Sequence, residues 1–226
     1  MGFLLLEGGA EFGGRMRDPD LKAIELAGGL EAPVRIIPTA AAPDNNHQRA
    51  GNNGIRWFQS LGAKDVGSVP LIDKVSANDD DIAKSLREAK LIYMLGGFTG
   101  YLGETLKGSA AWQAVLEAYA NGAVIAGSSA GAMVMCEFYY DPSRGQVIDG
   151  LNLVPNVIIM PHYDTFGKSW ASRLLEIPQV TLVGIDERTG MIDDGAGVWT
   201  VYGPGNVTLY RNQEVEIYVT GKSFSI

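Results

Sequence analysis

The sequence predicts an α/β fold, a three-layer and mostly parallel sheet with helices on both faces and antiparallel strands toward the C-terminal end. Three observations carry this. Short apolar runs alternate with helical patterns from the start to about residue 185, the order that builds parallel sheets covered on both sides. The run 91–95 is wholly apolar and is bounded by Gly96-Gly97, which suits a strand buried on both faces. From Gly184 onward, strand signals follow one another with turns between them.

Residues 2–6 read as the first strand; they lack a basic flank, and Glu7 follows too early for a secretion signal. A short helix over 19–27 and a second strand over 34–38 lead into the small-residue loop 39–43. Ile55, Phe58 and Leu61 fall at helical spacing, so 52–61 is predicted as a helix stopped by Gly62. A strand over 66–72 comes next. In 78–90, Asp79, Asp80 and Asp81 stand at the start and Arg87 and Lys90 at the end, as a helix dipole prefers.

Residues 110–121 form another predicted helix, with Trp112, Val115, Leu116 and Tyr119 on one stripe and Gly122 as its stop. The strand 123–126 runs directly into Gly127-Ser128-Ser129-Ala130-Gly131, and a helix over 132–136 follows. Strand signals at 184–186, 190–193, 197–202, 206–210 and 214–219 are expected to finish the sheet antiparallel. No stretch has linker composition, so residues 1–226 are expected to form one α/β domain.

Composition narrows the function. Of 226 residues, 46% are apolar and 19% charged, which excludes disorder. The net charge is -8, so a nucleic-acid binder, which needs a basic face, is not expected. No apolar run reaches the length of a membrane span, and the expected location is the cytoplasm. Cys136 is the single cysteine, and with only His47 and His162 beside it no structural zinc site is expected. Asp193-Asp194-Gly195 does not make a calcium loop; neither metal nor cofactor is expected. The 29 glycines amount to about 13%, against about 7% in ordinary proteins, and predict many tight loops.

The 127–131 segment matches G-x-S-x-G after a buried strand and before a helix, the context in which a sharp turn lifts a serine hydroxyl off the sheet. Ser129 is therefore the candidate nucleophile, and Ser128 a structural hydroxyl. A serine needs a base. His162 follows the apolar run 158–160 and so stands on the strand rim where such folds place ligands; His47, in the polar stretch 44–49, is the second choice. The base needs an acceptor to hold its tautomer: Glu187 is preferred, with Asp186 and Asp164 as rivals. Oxyanion donors are expected from the N–H groups of Ala130 and Gly97.

Together, Gly-Ser-Ser-Ala-Gly-Ala at 127–132, Leu95-Gly96-Gly97, Pro161-His162-Tyr163, Gly184-Ile185-Asp186-Glu187 and Ile37-Pro38-Thr39-Ala40 resemble the peptidase E and cyanophycinase family of serine peptidases. The resemblance implies a flavodoxin-like fold similar to class I glutamine amidotransferase domains, with serine in place of cysteine at the turn. It also implies hydrolysis of aspartyl dipeptides or of β-aspartyl-arginine links. Carried over, Ser129 is nucleophile, His162 base, Glu187 orienting acid, and Gly97 and Ala130 the oxyanion donors. The family commonly has Asn, Asp or Gln after its Gly-Gly pair; this chain has Phe98 and Thr99, a more apolar wall for substrate. Arg173 and Lys168 follow the His162 loop and are candidates for a substrate carboxylate, whereas Arg15, Arg17, Arg49 and Arg56 lie elsewhere. The expected partner is a small peptide substrate, with a homodimer allowed. An esterase or amidase, or a non-catalytic binding domain on the same scaffold, are the competing readings.

Overall fold

The computed structural model describes residues 1–177, 179–211 and 214–226. Its first half runs β1 (Phe3–Glu7), α1 (Arg17–Leu26), β2 (Val34–Ile37), α2 (His47–Ser60), β3 (Val66–Ser68), α3 (Asp80–Arg87), β4 (Leu91–Met94), α4 (Thr99–Leu106), α5 (Ala110–Ala120), β5 (Val124–Ser128) and α6 (Ala130–Met135). The second half adds β6 (Phe138–Asp141), β7 (Gln146–Asp149), β8 (Val157–Met160), α7 (Ala171–Leu174), β9 (Thr181–Ile185), β10 (Gly190–Asp193), β11 (Val198–Tyr202), β12 (Asn206–Arg211), β13 (Glu214–Val219) and β14 (Ser223–Ser225).

The large sheet has eight strands in the order β14-β11-β10-β1-β5-β4-β2-β3. From β1 to β3 its neighbours are parallel, and β10, β11 and β14 extend it antiparallel. The crossovers from β1 to β2 and from β2 to β3 step one way across the sheet, and those to β4 and β5 step back. Right-handed crossovers therefore place α1 and α2 on one face and α3 and α5 on the other. β4 and β5, in the interior of the sheet, are buried at every position, which is why their sequences are continuous apolar runs. All five parallel strands end on one rim, and Glu7, Met94 and Ser128 stand there.

The C-terminal strands depart from the expected single sheet. β9, β12 and β13 join β8 in a separate four-stranded sheet, with β8 and β9 parallel and the rest antiparallel, while only β10, β11 and β14 reach the large sheet. The two sheets meet where the His162 N–H donates to the Gly8 carbonyl at 2.6 Å. The chain leaves β9 at this junction and re-enters beside β1 as β10, so consecutive strand signals serve different sheets.

Three local differences have physical causes. α2 begins at His47 rather than 52, because Gly51 and Gly54 let its first turns lie close on Ser68 and Ile36, a tertiary reason that no periodicity reports. β3 stops at Ser68, ahead of Pro70, which cannot donate to a ladder. α4 and the hairpin β6–β7 carry no strong periodic signal. No helix among the described residues is long and apolar enough to cross a membrane.

Candidate active site

The turn from β5 into α6 is a strained elbow. Ser129 sits at φ 49° and ψ -112°, a conformation that side chains rarely adopt and that is retained only where surroundings enforce it. Enforcement is visible: the Ser129 N–H donates to the Glu7 carbonyl at 3.0 Å and the Met133 N–H to the Ser129 carbonyl. The flanking glycines are required by crowding. A Cβ on Gly127 would run into the backbone of Gly131, and one on Gly131 into the Met94 carbonyl.

The structure brings Ser129, His162 and Glu187 together. Ser129 Oγ lies 3.0 Å from His162 Nε2, and His162 Nδ1 lies 2.8 Å from Glu187 Oε1. His162 is itself at φ 50°, and its ring stacks on Phe166 with centroids 4.8 Å apart. Gly9 lies against the other side of that ring, where a Cβ would collide with the imidazole. A hydroxyl bonded to an imidazole that is bonded in turn to a carboxylate can transfer its proton as the oxygen attacks a carbonyl.

The rivals have other duties. Asp164 Oδ1 accepts the Glu187 N–H at 2.8 Å and so fixes the loop that carries that carboxylate. Asp186 accepts from the backbone and side-chain nitrogens of Asn206, and burial pushes its carboxyl above the usual range. His47 opens α2 and lines a separate groove with Pro38 and Ser68. Ser128 is fully buried and donates to Glu11 Oε2 at 3.0 Å. Cys136 is buried, and burial pushes its thiol far up.

Three successive carbonyls at the end of β1 register the site, and sequence reasoning did not find them. Glu7 accepts from Ser129, Gly8 from His162, and Gly9 from Arg188 beside Glu187, at 3.0, 2.6 and 3.1 Å. The Gly8-Gly9 pair was the available signal. Glu11 was missed as well: it joins the elbow to the glycine loop, since its Oε1 also accepts the Gly96 N–H at 3.1 Å.

A cleft of about 580 Å³ opens beside Gly96 and Gly97, walled by Phe98, Trp57 and Arg56 and by the carboxylates of Glu11 and Asp44. Neither the Gly97 nor the Ala130 N–H donates to a protein acceptor among the described residues. Phe98 is 44% exposed at the edge of this cleft. Thr99 turns inward, its hydroxyl on Met133 Sδ at 3.8 Å. Arg173 lies outside the cleft lining; it donates to Tyr140 Oη at 2.8 Å, with its guanidinium 5.8 Å from that ring's centroid. Lys168 lines a different groove, with Asp164 and Asp186. The cation on the cleft is instead Arg56, whose guanidinium makes its only hydrogen bond among the described residues to Asn53 Oδ1 at 2.5 Å. No cluster of three or more His, Cys, Asp or Glu is placed to hold a metal among the described residues.

Comparison with known proteins shows what the chain is similar to. The model of peptidase family S51 matches residues 4–199. A cyanophycinase from Geminocystis herdmanii is 27% identical over 233 residues, covering 97% of this chain and 84% of that protein. An uncharacterised peptidase of Listeria innocua is 32% identical over 144 residues, 58% of this chain and 64% of its own. Among solved structures, a peptidase from an acI-B1 Actinobacterium superposes with a TM-score of 0.90 at 29% identity, covering 100% of this chain and 97% of that one. A peptidase E candidate from Listeria monocytogenes EGD-e shares the fold, with a TM-score of 0.62 at 23% identity over 96% of this chain and 98% of its own.

Proposed function

The chain belongs to peptidase family S51 and is a serine-type peptidase, and on that premise we propose that it cleaves small aspartate-containing peptides through an acyl-enzyme on Ser129. The observation that carries the reading is the 3.0 Å contact of Ser129 Oγ with His162 Nε2 on a strained elbow.

In the proposed reaction, Ser129 Oγ attacks the scissile carbonyl and its proton passes to His162 Nε2. Glu187 takes the hydrogen bond from Nδ1 and stabilises the imidazolium. The developing oxyanion is met by the N–H groups of Gly97 and Ala130. His162 then protonates the leaving amine, and water repeats the sequence to free the acid.

For substrate we favour a side-chain carboxylate on the peptide, because Arg56 lines the cleft with no carboxylate partner among the described residues, and a guanidinium pairs such a group bidentately. Arg56 thus replaces Arg173 as the recognition residue, and Phe98 supplies an apolar wall. Cyanophycinase-like cleavage of β-aspartyl links is the second reading, supported by the 27% identity to a cyanophycinase along 97% of the chain. Fluorophosphonate treatment with mapping of the adduct tests the mechanism: modification of Ser129 is expected in folded protein, and its absence overturns the nucleophile assignment. A panel of aspartyl, β-aspartyl and neutral dipeptides chooses between the substrates.

A further inference from the structure

Two carboxyl groups outside this chemistry, Glu7 and Asp20, are completely buried behind the elbow. Glu7 ends β1, and Asp20 lies in the first turn of α1. Tyr93 Oη donates to Glu7 Oε2 at 2.5 Å, and Trp57 Nε1 donates to Asp20 Oδ2 at 2.7 Å. The other two oxygens, Glu7 Oε1 and Asp20 Oδ1, are buried without any donor, and the two carboxyls lie close enough for each to perturb the other. Facing the pair are Tyr93 from β4, Trp57 from α2 and, at longer range, the Glu11 carboxylate. From β10, Gly190 packs against the Glu7 side chain. No lysine, arginine or histidine is paired with either carboxyl among the described residues.

Two adjacent carboxylates without a counter-ion cannot both stay ionised in such a site. One proton placed between Oε1 and Oδ1 gives all four oxygens a partner. Each carboxyl already accepts one donor, from Tyr93 and from Trp57; the first turn of α1 favours the negative charge on Asp20, which leaves the proton with Glu7. Burial raises both carboxyls above the ordinary range, so the pair retains a proton where exposed carboxyls have lost theirs.

We propose that Glu7 and Asp20 are positioning residues for the peptidase, sharing one proton that holds Trp57 in place as a wall of the substrate cleft. Trp57 lines that cleft, and the Glu7 carbonyl carries the N–H of Ser129, so the pair touches the binding wall by a side chain and the elbow by backbone. Loss of the proton sets two negative charges against each other, drives Asp20 on α1 away from Glu7 on β1, and so displaces the carboxyl that holds Trp57 of α2. The effect falls on substrate binding before chemistry. The inference rests on the serine-peptidase reading of Ser129.

Infrared spectroscopy of the intact protein in deuterated buffer tests the shared proton without reference to catalysis. A carboxylic-acid carbonyl band is expected to persist at about pH 8.5, where exposed carboxyls are ionised, and to vanish in Glu7→Gln; a wild-type spectrum with no such band overturns the proposal. The kinetic arm uses an aspartyl dipeptide. Trp57→Phe, which keeps an aromatic ring of smaller size and loses the N–H, is expected to raise KM about 5–10-fold with kcat within about 2-fold. Glu7→Leu should do the same, and Glu7→Gln, which keeps a donor toward Asp20, should recover most of that loss. An unchanged KM in Trp57→Phe, or a Glu7→Gln no better than Glu7→Leu, overturns the positioning role. Fluorophosphonate labelling in the same samples keeps the two readings apart: a labelled Ser129 without the infrared band defeats the pair alone, and the band without labelling defeats the peptidase mechanism alone.

Discussion

The rim that carries Ser129 and the wall that carries Trp57 face one cleft but are held in different ways. On the rim, position comes from backbone: a positive φ at both Ser129 and His162, and main-chain hydrogen bonds to the consecutive residues 7, 8 and 9 where β1 ends. On the wall, position comes from side chains, with Trp57 tied by one N–H to the buried carboxyl of Asp20. Chemistry tolerates little misplacement, whereas binding can be retuned by altering a single hydrogen bond. The difference teaches that turnover should be lost through the rim and selectivity through the wall.

The largest effect should come from the rim. Ser129→Ala and His162→Ala are each expected to lower kcat by at least about 10³-fold, since nucleophile and base act as a unit, measured on any dipeptide the enzyme turns over. Glu187→Gln leaves the ring without its negative acceptor and should cost about 10²–10⁴-fold in kcat with KM little changed; a KM effect alone would remove it from the rim. Arg56→Met belongs to the wall and should raise KM about 10-fold for aspartyl dipeptides and leave neutral ones unaffected. Equal losses on both substrates would break the proposed division.

The smallest effect is on stability. The buried carboxyl of Asp20 is raised to about 7 from an unfolded value near 3.8, so the folded state binds more protons between those limits. Stability from this group is therefore greatest at the acid side and is lost as pH rises through that window. Asp20→Asn stays neutral throughout. Its Tm relative to wild type should climb by a few degrees between about pH 5 and about pH 8, read from thermal scans in a buffer series; a constant difference would show that Asp20 does not titrate there.

Much of the rim was legible in the sequence because its signals are local. A buried strand, G-x-S-x-G and a helix occupy consecutive residues, and His162 and Glu187 each follow an apolar run that ends on the same edge. The wall was illegible for the opposite reason. Tyr93 and Glu7 are 86 residues apart, and Trp57 and Asp20 are 37 apart, with no spacing rule to link them. Arg56 falls inside the predicted helix 52–61 yet reads as one charge among several, because helical spacing does not report which cleft a helix face borders. The division of the C-terminal strands between two sheets escaped for a similar cause: strand signals report that a segment is extended, and not which edge it joins.

The carbonyls of residues 7, 8 and 9 act as a datum, in the sense used for a machined part. Three pieces of chain, from positions 129, 162 and 188, are each gauged against the same three-residue edge, so their errors are common rather than independent. Inserting or deleting one residue between Leu6 and Ala10 would displace all of them together by a full step of the strand. Substitutions elsewhere can be repaired one contact at a time; an indel in this short edge has no such remedy, and the segment should be the least tolerant of length change in the molecule.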